Sequence, residues 1–219
     1  MTTPPQYVPR IAVVDYGAGN IVSIDQALTI VGARVTLATE PDDLADADAL
    51  VVPGVGAAAP AMERLERARL VEPIRRWIDD DRPFLGICLG LQLLFEGSDE
   101  DGAVTLGVLP GRTRRLDAPT LPHIGWNQVE LVRRHPAFEG IGDAADFYFV
   151  HSYAGALDDG GAGLILAETR HGRPFVSAVA RGRLLGVQFH PERSGRDGLR
   201  LVRNFVAALR PAALAAVPA

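Results

Sequence analysis

The chain contains a single cysteine, Cys88, set in Gly86-Ile87-Cys88-Leu89-Gly90. The apolar run Phe84 to Ile87 leads into it, and Leu89 to Phe95 reads as a helix that starts at once. Glycines two residues before and two after a nucleophile, at a strand-to-helix turn, describe a nucleophile elbow with cysteine in place of serine. The turn crowds its neighbours, and glycine removes the side chains that would collide. A cysteine there sits at a helix N-terminus, where unpaired N–H groups favour the thiolate. The backbone N–H of Leu89 is placed to stabilise an oxyanion. A lone cysteine without such neighbours reads as a small buried hydrophobe. Gln92, one turn further on, can face the same pocket.

A thiol nucleophile calls for a base, and the base for an orienting group. Of the five histidines, His190 ends the apolar run Leu184 to Phe189 and is followed by Pro191-Glu192. In extended chain, residues two apart face the same side, so Glu192 can reach the ring of His190. In a parallel sheet, functional residues gather at the carboxyl ends of the strands. Cys88 and His190 both occupy such ends.

Positioning these groups requires a parallel sheet. Ile11–Val14 reads as a strand buried on both faces, and Arg34–Ala38, Leu50–Val52 and Phe84–Ile87 read as further strands. Ile21–Val31, Pro60–Leu70 and Pro73–Asp80 read as helices between them, the first ended by Gly32 and the others carrying proline in the first turn. After about residue 105 the pattern changes. Val104–Arg115, Asn127–Leu131, Phe147–Val150, Leu164–Thr169, Phe175–Ala180 and Leu184–Phe189 read as strands, with a hairpin about Arg181-Gly182-Arg183. A final helix is predicted over Asp197–Leu209, and the alanine- and proline-rich tail from Pro211 is expected to fray. The expectation is one α/β domain over residues 1–219 with an ordered core near 11–209. Its sheet is mostly parallel, flanked by helices, with an antiparallel extension in the second half.

Composition narrows the chemistry. All 22 basic residues are arginine, which excludes Schiff-base chemistry on lysine and a phosphate loop ending in Gly-Lys-Ser/Thr. One cysteine excludes an intrachain disulfide and any site with several thiolates. A net charge of −5 gives no overall footprint for nucleic acid. The first ten residues lack the apolar core of a signal peptide, and no apolar run reaches the ~18 residues that span a bilayer. The cytoplasm is the expected compartment.

Gly-Ile-Cys-Leu-Gly-Leu-Gln (86–92) together with Phe-His-Pro-Glu (189–192) resembles the class I glutamine amidotransferase triad family. Four further segments narrow the resemblance to the glutaminase subunits of imidazole glycerol phosphate synthase. These are Asp-Tyr-Gly-Ala-Gly-Asn (15–20), Pro-Gly-Val-Gly (53–56), Pro-His-Ile-Gly-Trp-Asn (122–127) and Tyr-Phe-Val-His-Ser-Tyr (148–153). The resemblance runs from about Ile11 to Phe205. It implies a flavodoxin-like fold and a glutaminase in which Cys88 attacks the side-chain amide of glutamine, His190 moves protons and Glu192 orients His190. It also implies an oxyanion hole of Leu89 with Gly54 and Val55, whose glycines permit a peptide flip. Gly54, Gln92, Ser152, Tyr153 and Glu100 would hold the substrate. Asn20, His123, Trp126, His151 and Arg193 would lie at a partner interface.

The implied partner is a (β/α)8 cyclase subunit in a heterodimer, which receives the ammonia for histidine biosynthesis; no cofactor or metal is implied. Arg193 stands where the family usually has lysine, Ala154 where a second aromatic is common, and Ala57-Ala58 where larger residues are common. Another class I amidotransferase subunit, a free-standing γ-glutamyl hydrolase and a non-catalytic interaction subunit remain the alternative readings. Asp15 and Asn20 could equally cap the first helix.

Overall fold

The computed structural model describes residues 7–17, 19–158 and 160–209. The expected tails fall largely outside these residues. The chain begins with β1 (Arg10–Val14), α1 (Ile21–Ile30), β2 (Arg34–Ala38), β3 (Ala49–Gly54), α2 (Ala58–Arg67), α3 (Val71–Asp79), β4 (Phe84–Cys88) and the single turn α4 (Leu89–Gln92). Then follow β5 (Gly97–Ser98), β6 (Arg112–Arg115), β7 (His123–Leu131), β8 (Ala145–His151), β9 (Tyr153–Ala156), β10 (Ile165–His171), β11 (Arg173–Arg181), β12 (Leu184–Val187) and α5 (Gly195–Ala207).

Nine strands form one sheet in the order β2-β1-β3-β4-β12-β11-β10-β7-β8. The first five are mutually parallel and the remaining pairings antiparallel. The sheet reverses direction at the β11–β12 hairpin, where Arg181 pairs with Leu184. Alternation along each parallel strand feeds two cores. Ile11 and Val13 pack with Ile24, Leu28, Leu201 and Phe205 of α1 and α5 on one face. Ala12 and Val14 pack with Met62, Leu65, Ile74 and Trp77 of α2 and α3 on the other. Apolar burial on both faces is why β1, β3 and β4 read as continuous apolar runs.

A second, three-stranded sheet, β5-β6-β9, was not foreseen. The expected strand Val104–Arg115 shrinks to Arg112–Arg115. Its first part is a loop whose N–H groups bond to the end of the α4 segment instead: Leu106 to the Leu93 carbonyl, Gly107 to Phe95, and Val108 and Leu109 to Leu94. Buried Leu106 and Leu109 explain the misleading apolar pattern. The helix expected over Leu89–Phe95 is likewise cut to one turn, because that loop takes over its carbonyls.

Candidate active site

Cys88 closes β4 with φ +53° and ψ −107°. A positive φ on a non-glycine residue is strained, and it is sustained here by a turn with glycine two residues to either side, Gly86 and Gly90. A Cβ on Gly90 would collide with the Val52 carbonyl oxygen, and one on Gly86 with the backbone of Gly90. The direct passage from strand to helix is therefore enforced by backbone-to-backbone packing of the turn onto β3 and β4.

The parallel register brings the next groups alongside. Gly54 at the end of β3 pairs with Cys88, and on the other side β12 pairs Val187 with Ile87. The chain continues from β12 through Gln188 and Phe189 to His190. His190 Nδ1 and Glu192 Oε1 lie 2.8 Å apart, and the two side chains are 4% and 1% exposed. Glu192 reaches the ring from the single 3-10 turn Pro191–Arg193 rather than from extended chain, so the expected contact forms by a different local geometry. Burial opposes charge on His190, but the neighbouring Cys88 sulfur and the Glu192 carboxylate outweigh it and hold its pKa well above the ordinary 6.5. His190 Nε2 has no hydrogen-bond partner of ordinary geometry among the described residues, which leaves it available to a reacting group.

Cys88 opens into a cavity lined by Val55, Gln92, Glu100, His151, Ser152 and Tyr153, with Gly56, Ala57, Pro122 and Val150 completing the wall. Five residues expected to hold substrate or oxyanion thus converge: Val55, Gln92, Glu100, Ser152 and Tyr153. Burial, and then the charge of Asp101, push the Glu100 carboxyl up. Gln92 donates from Nε2 to the Tyr153 carbonyl at 2.8 Å and to Gln188 Oε1 at 3.1 Å, leaving its own oxygen to accept.

Gly54 and Leu89 stand behind the cavity wall. Gly54 is glycine because a Cβ would strike the Tyr16 hydroxyl and crowd the Leu89 side chain; its φ is not in the left-handed region. Conformational freedom resides instead in Gly56, at φ +92°. The Tyr16 hydroxyl, buried, donates to the Pro53 carbonyl at 2.9 Å and so braces this loop from the β1–α1 connection. Burial and the nearby Cys88 push the phenol further from ionisation. Neither Tyr16 nor Gln188, whose Nε2 donates to Cys88 Sγ at 3.5 Å, was singled out from the sequence. Their partners lie 37 and 100 residues away, and only the assembled sheet joins them.

The expected interface residues divide. Asn20, Trp126 and Arg193 are exposed, with Arg193 lying over the Tyr148 ring at 4.2 Å. Asn20 also caps α1, accepting from the Ser23 N–H at 3.4 Å, whereas Asp15 accepts from Gly17 instead. His123 and His151 are corrected: at 4% and 7% exposure they present no surface to a partner. They are cross-strand partners on β7 and β8, with His123 Nδ1 3.3 Å from His151 Nε2. His123 stacks between Phe149 and His171. Burial pushes His123 down to about 4 and His151 to about 3, so both are neutral. Ala154 is buried in the hydrophobic core rather than extending an aromatic surface.

The profile of the class I glutamine amidotransferases matches residues 12–209. The imidazole glycerol phosphate synthase subunit HisH of a Synechococcus species is 46% identical to the chain, covering 90% of it and 92% of that protein. HisH of Chloroflexus aurantiacus is also 46% identical, over 90% of the chain and 94% of that protein. The chloroplastic imidazole glycerol phosphate synthase hisHF of Arabidopsis thaliana is 44% identical over 92% of the chain, which spans 35% of that longer protein. Among solved structures, the fold is similar to a chain of PurLQS from Thermotoga maritima, with a TM-score of 0.76 at 18% identity, covering 93% of this chain and 100% of that one. A glutamine amidotransferase crystal structure gives 0.69 at 23% identity, covering 90% and 98%. The chain belongs to the class I glutamine amidotransferases and, within them, to the HisH subunits of imidazole glycerol phosphate synthase.

Proposed function

We propose that the chain hydrolyses L-glutamine to glutamate and ammonia and passes the ammonia to a cyclase subunit, HisF, which converts PRFAR to imidazole glycerol phosphate and AICAR. The observation that carries this reading is the buried His190–Glu192 pair beside a strained cysteine at the carboxyl edge of a parallel sheet. His190 takes the Cys88 proton as Sγ attacks the glutamine side-chain carbonyl carbon. The oxyanion is met by the N–H groups of Leu89 and the Gly54–Val55 loop. As the tetrahedral adduct collapses, the C–N bond breaks and His190 gives its proton to the departing ammonia. Water, deprotonated by His190, then attacks the thioester, and the C–S bond breaks to release glutamate. Glu192 holds the ring in the useful tautomer and balances its charge throughout.

Gln92, Ser152, Tyr153 and Glu100 bind glutamine, with Glu100 facing its ammonium group. Asn20, Trp126 and Arg193 belong to the partner face. The two-subunit arrangement is supported by the hisHF chain, which is nearly three times the length that this chain matches. One domain over the whole chain and a reducing cytoplasmic setting, which keeps a lone catalytic thiol free, complete the proposal. Cys88→Ala is expected to abolish glutamine-dependent synthesis by the reconstituted complex while ammonia-dependent synthesis continues. Equal loss of both reactions would overturn the assignment. Full activity from the isolated chain would overturn its dependence on the partner.

A further inference from the structure

We infer that Gln188 is a positioning residue for the Cys88 sulfur, donating a hydrogen bond that fixes the sulfur's orientation and favours its anionic form. The inference rests on the proposed role of Cys88 as nucleophile. Gln188 is fully buried one position beyond β12, and its backbone N–H bonds to the Ser177 carbonyl at 2.9 Å. The parallel register that pairs Val187 with Ile87 carries it alongside Cys88. Its Nε2 lies 3.5 Å from Sγ, and its Oε1 accepts from Gln92 Nε2 at 3.1 Å.

The direction of the amide follows from its neighbours. The Tyr153 carbonyl faces Gln92 Nε2 at 2.8 Å and His151 Nδ1 at 2.9 Å. A carbonyl only accepts, so Gln92 must present its NH2 there, and the second hydrogen of that NH2 points at Gln188. Gln188 must answer with oxygen, which turns its own NH2 towards the sulfur. Rotating either amide would set donor against donor or acceptor against acceptor in a buried site, a costly mismatch. The chain His151–Tyr153–Gln92–Gln188 therefore has one polarity, and it ends on Sγ. A donor held there stabilises negative charge on the attacking sulfur and, later, on the sulfur leaving the thioester.

Cys88 is the only cysteine, so alkylation reports on it alone. The titratable groups around it are His190 and Glu192, Tyr16 behind the loop, and Glu100, His151 and Tyr153 across the cavity. In the complex with the cyclase subunit, Gln188→Met, which fills similar space without a donor, is expected to move the pH profile of iodoacetamide alkylation to higher pH. Alkylation near neutral pH and kcat for glutamine should both fall at least about tenfold, with KM nearly unchanged. Gln188→Glu, which sets an acceptor and a charge against the sulfur, should fall further. Should these variants fail to fold, nuclear magnetic resonance of the wild-type Gln188 side-chain amide is the second reading: one of its protons should shift when Cys88 is alkylated. A Gln188→Met profile that coincides with wild type, or amide protons that do not move, overturns the inference while the assignment of Cys88 stands. Fully alkylated protein that still hydrolyses glutamine overturns both.

Discussion

Cys88 keeps its strained backbone because the turn around it has no room for side chains. The tightest point is Gly90, whose missing Cβ would sit on the Val52 carbonyl. Gly90→Ala should therefore push the turn off β3, costing about 1–3 kcal/mol of stability. It should also lower glutamine turnover about 100-fold through misplacement of the sulfur. Urea denaturation and a glutaminase assay on the same preparation check the two effects. The proposed role of Glu192 is exerted on the His190 ring, 2.8 Å away, rather than on the backbone. In Glu192→Gln the carboxylate that raises the His190 pKa is gone and burial pulls it down, so a ring titration followed by nuclear magnetic resonance should show a lower value than in wild type. Turnover should fall on the order of 100-fold with little change in KM. Cys88, His190 and Glu192 were legible in the sequence because each is flagged by immediate neighbours: paired glycines, a strand end, a proline turn. Gln188 and Tyr16 were not, because their roles exist only across strands that meet in the folded sheet.

Local periodicity served the strands and helices well wherever both faces are buried, as in β1, β3 and β4. It misled where apolar residues pack from a loop. Leu106 and Leu109 look like strand residues but seal the end of the α4 segment, and Gly107 and Gly111, both at positive φ, turn the chain out of any ladder. The β5-β6-β9 sheet was invisible for a different reason: its strands are two to four residues long, too short to show a period. The pairing of β7 with β8 makes a further prediction. It buries His123 and His151 as neutral rings with pKa values near 4 and 3. Between those values and 6.5 the unfolded chain binds protons that the folded chain refuses. Stability is therefore complete above about pH 6.5 and is lost as the pH falls towards 3. Replacing His151 with glutamine removes one of these groups. Relative to wild type, denaturant midpoints should then decline less steeply between pH 6.5 and 4. An identical decline in both proteins would show that carboxylates elsewhere account for it.

The two halves of the large sheet divide the labour of the fold. Its parallel half presents Gly54, Cys88 and the His190 segment at one edge, and its antiparallel half carries β7 and β8 around to close the cavity with His151. The outer side of β7 and β8 is different in character. Ile124 and Trp126 are 60% and 57% exposed, Trp126 packs edge-on with its cross-strand partner Tyr148, and Arg193 lies over the Tyr148 ring. Arg193 follows directly on Pro191-Glu192, so this cluster is joined by covalent chain to the proposed catalytic residues. A partner docking on Trp126 would press on Tyr148 and Arg193, and through them on the turn that carries Glu192. Trp126→Ala should then weaken binding of the cyclase subunit at least about tenfold, as loss of an exposed aromatic anchor commonly does. Arg193→Ala, which uncovers Tyr148 but leaves Trp126 in place, should weaken binding less and lower the glutaminase rate of the saturated complex. Titration calorimetry gives the first quantity and ammonia release at saturating partner gives the second. If Trp126→Ala binds as tightly as wild type, the docking face lies elsewhere. If Arg193→Ala leaves the saturated rate unchanged, the mechanical link between that face and His190 is absent.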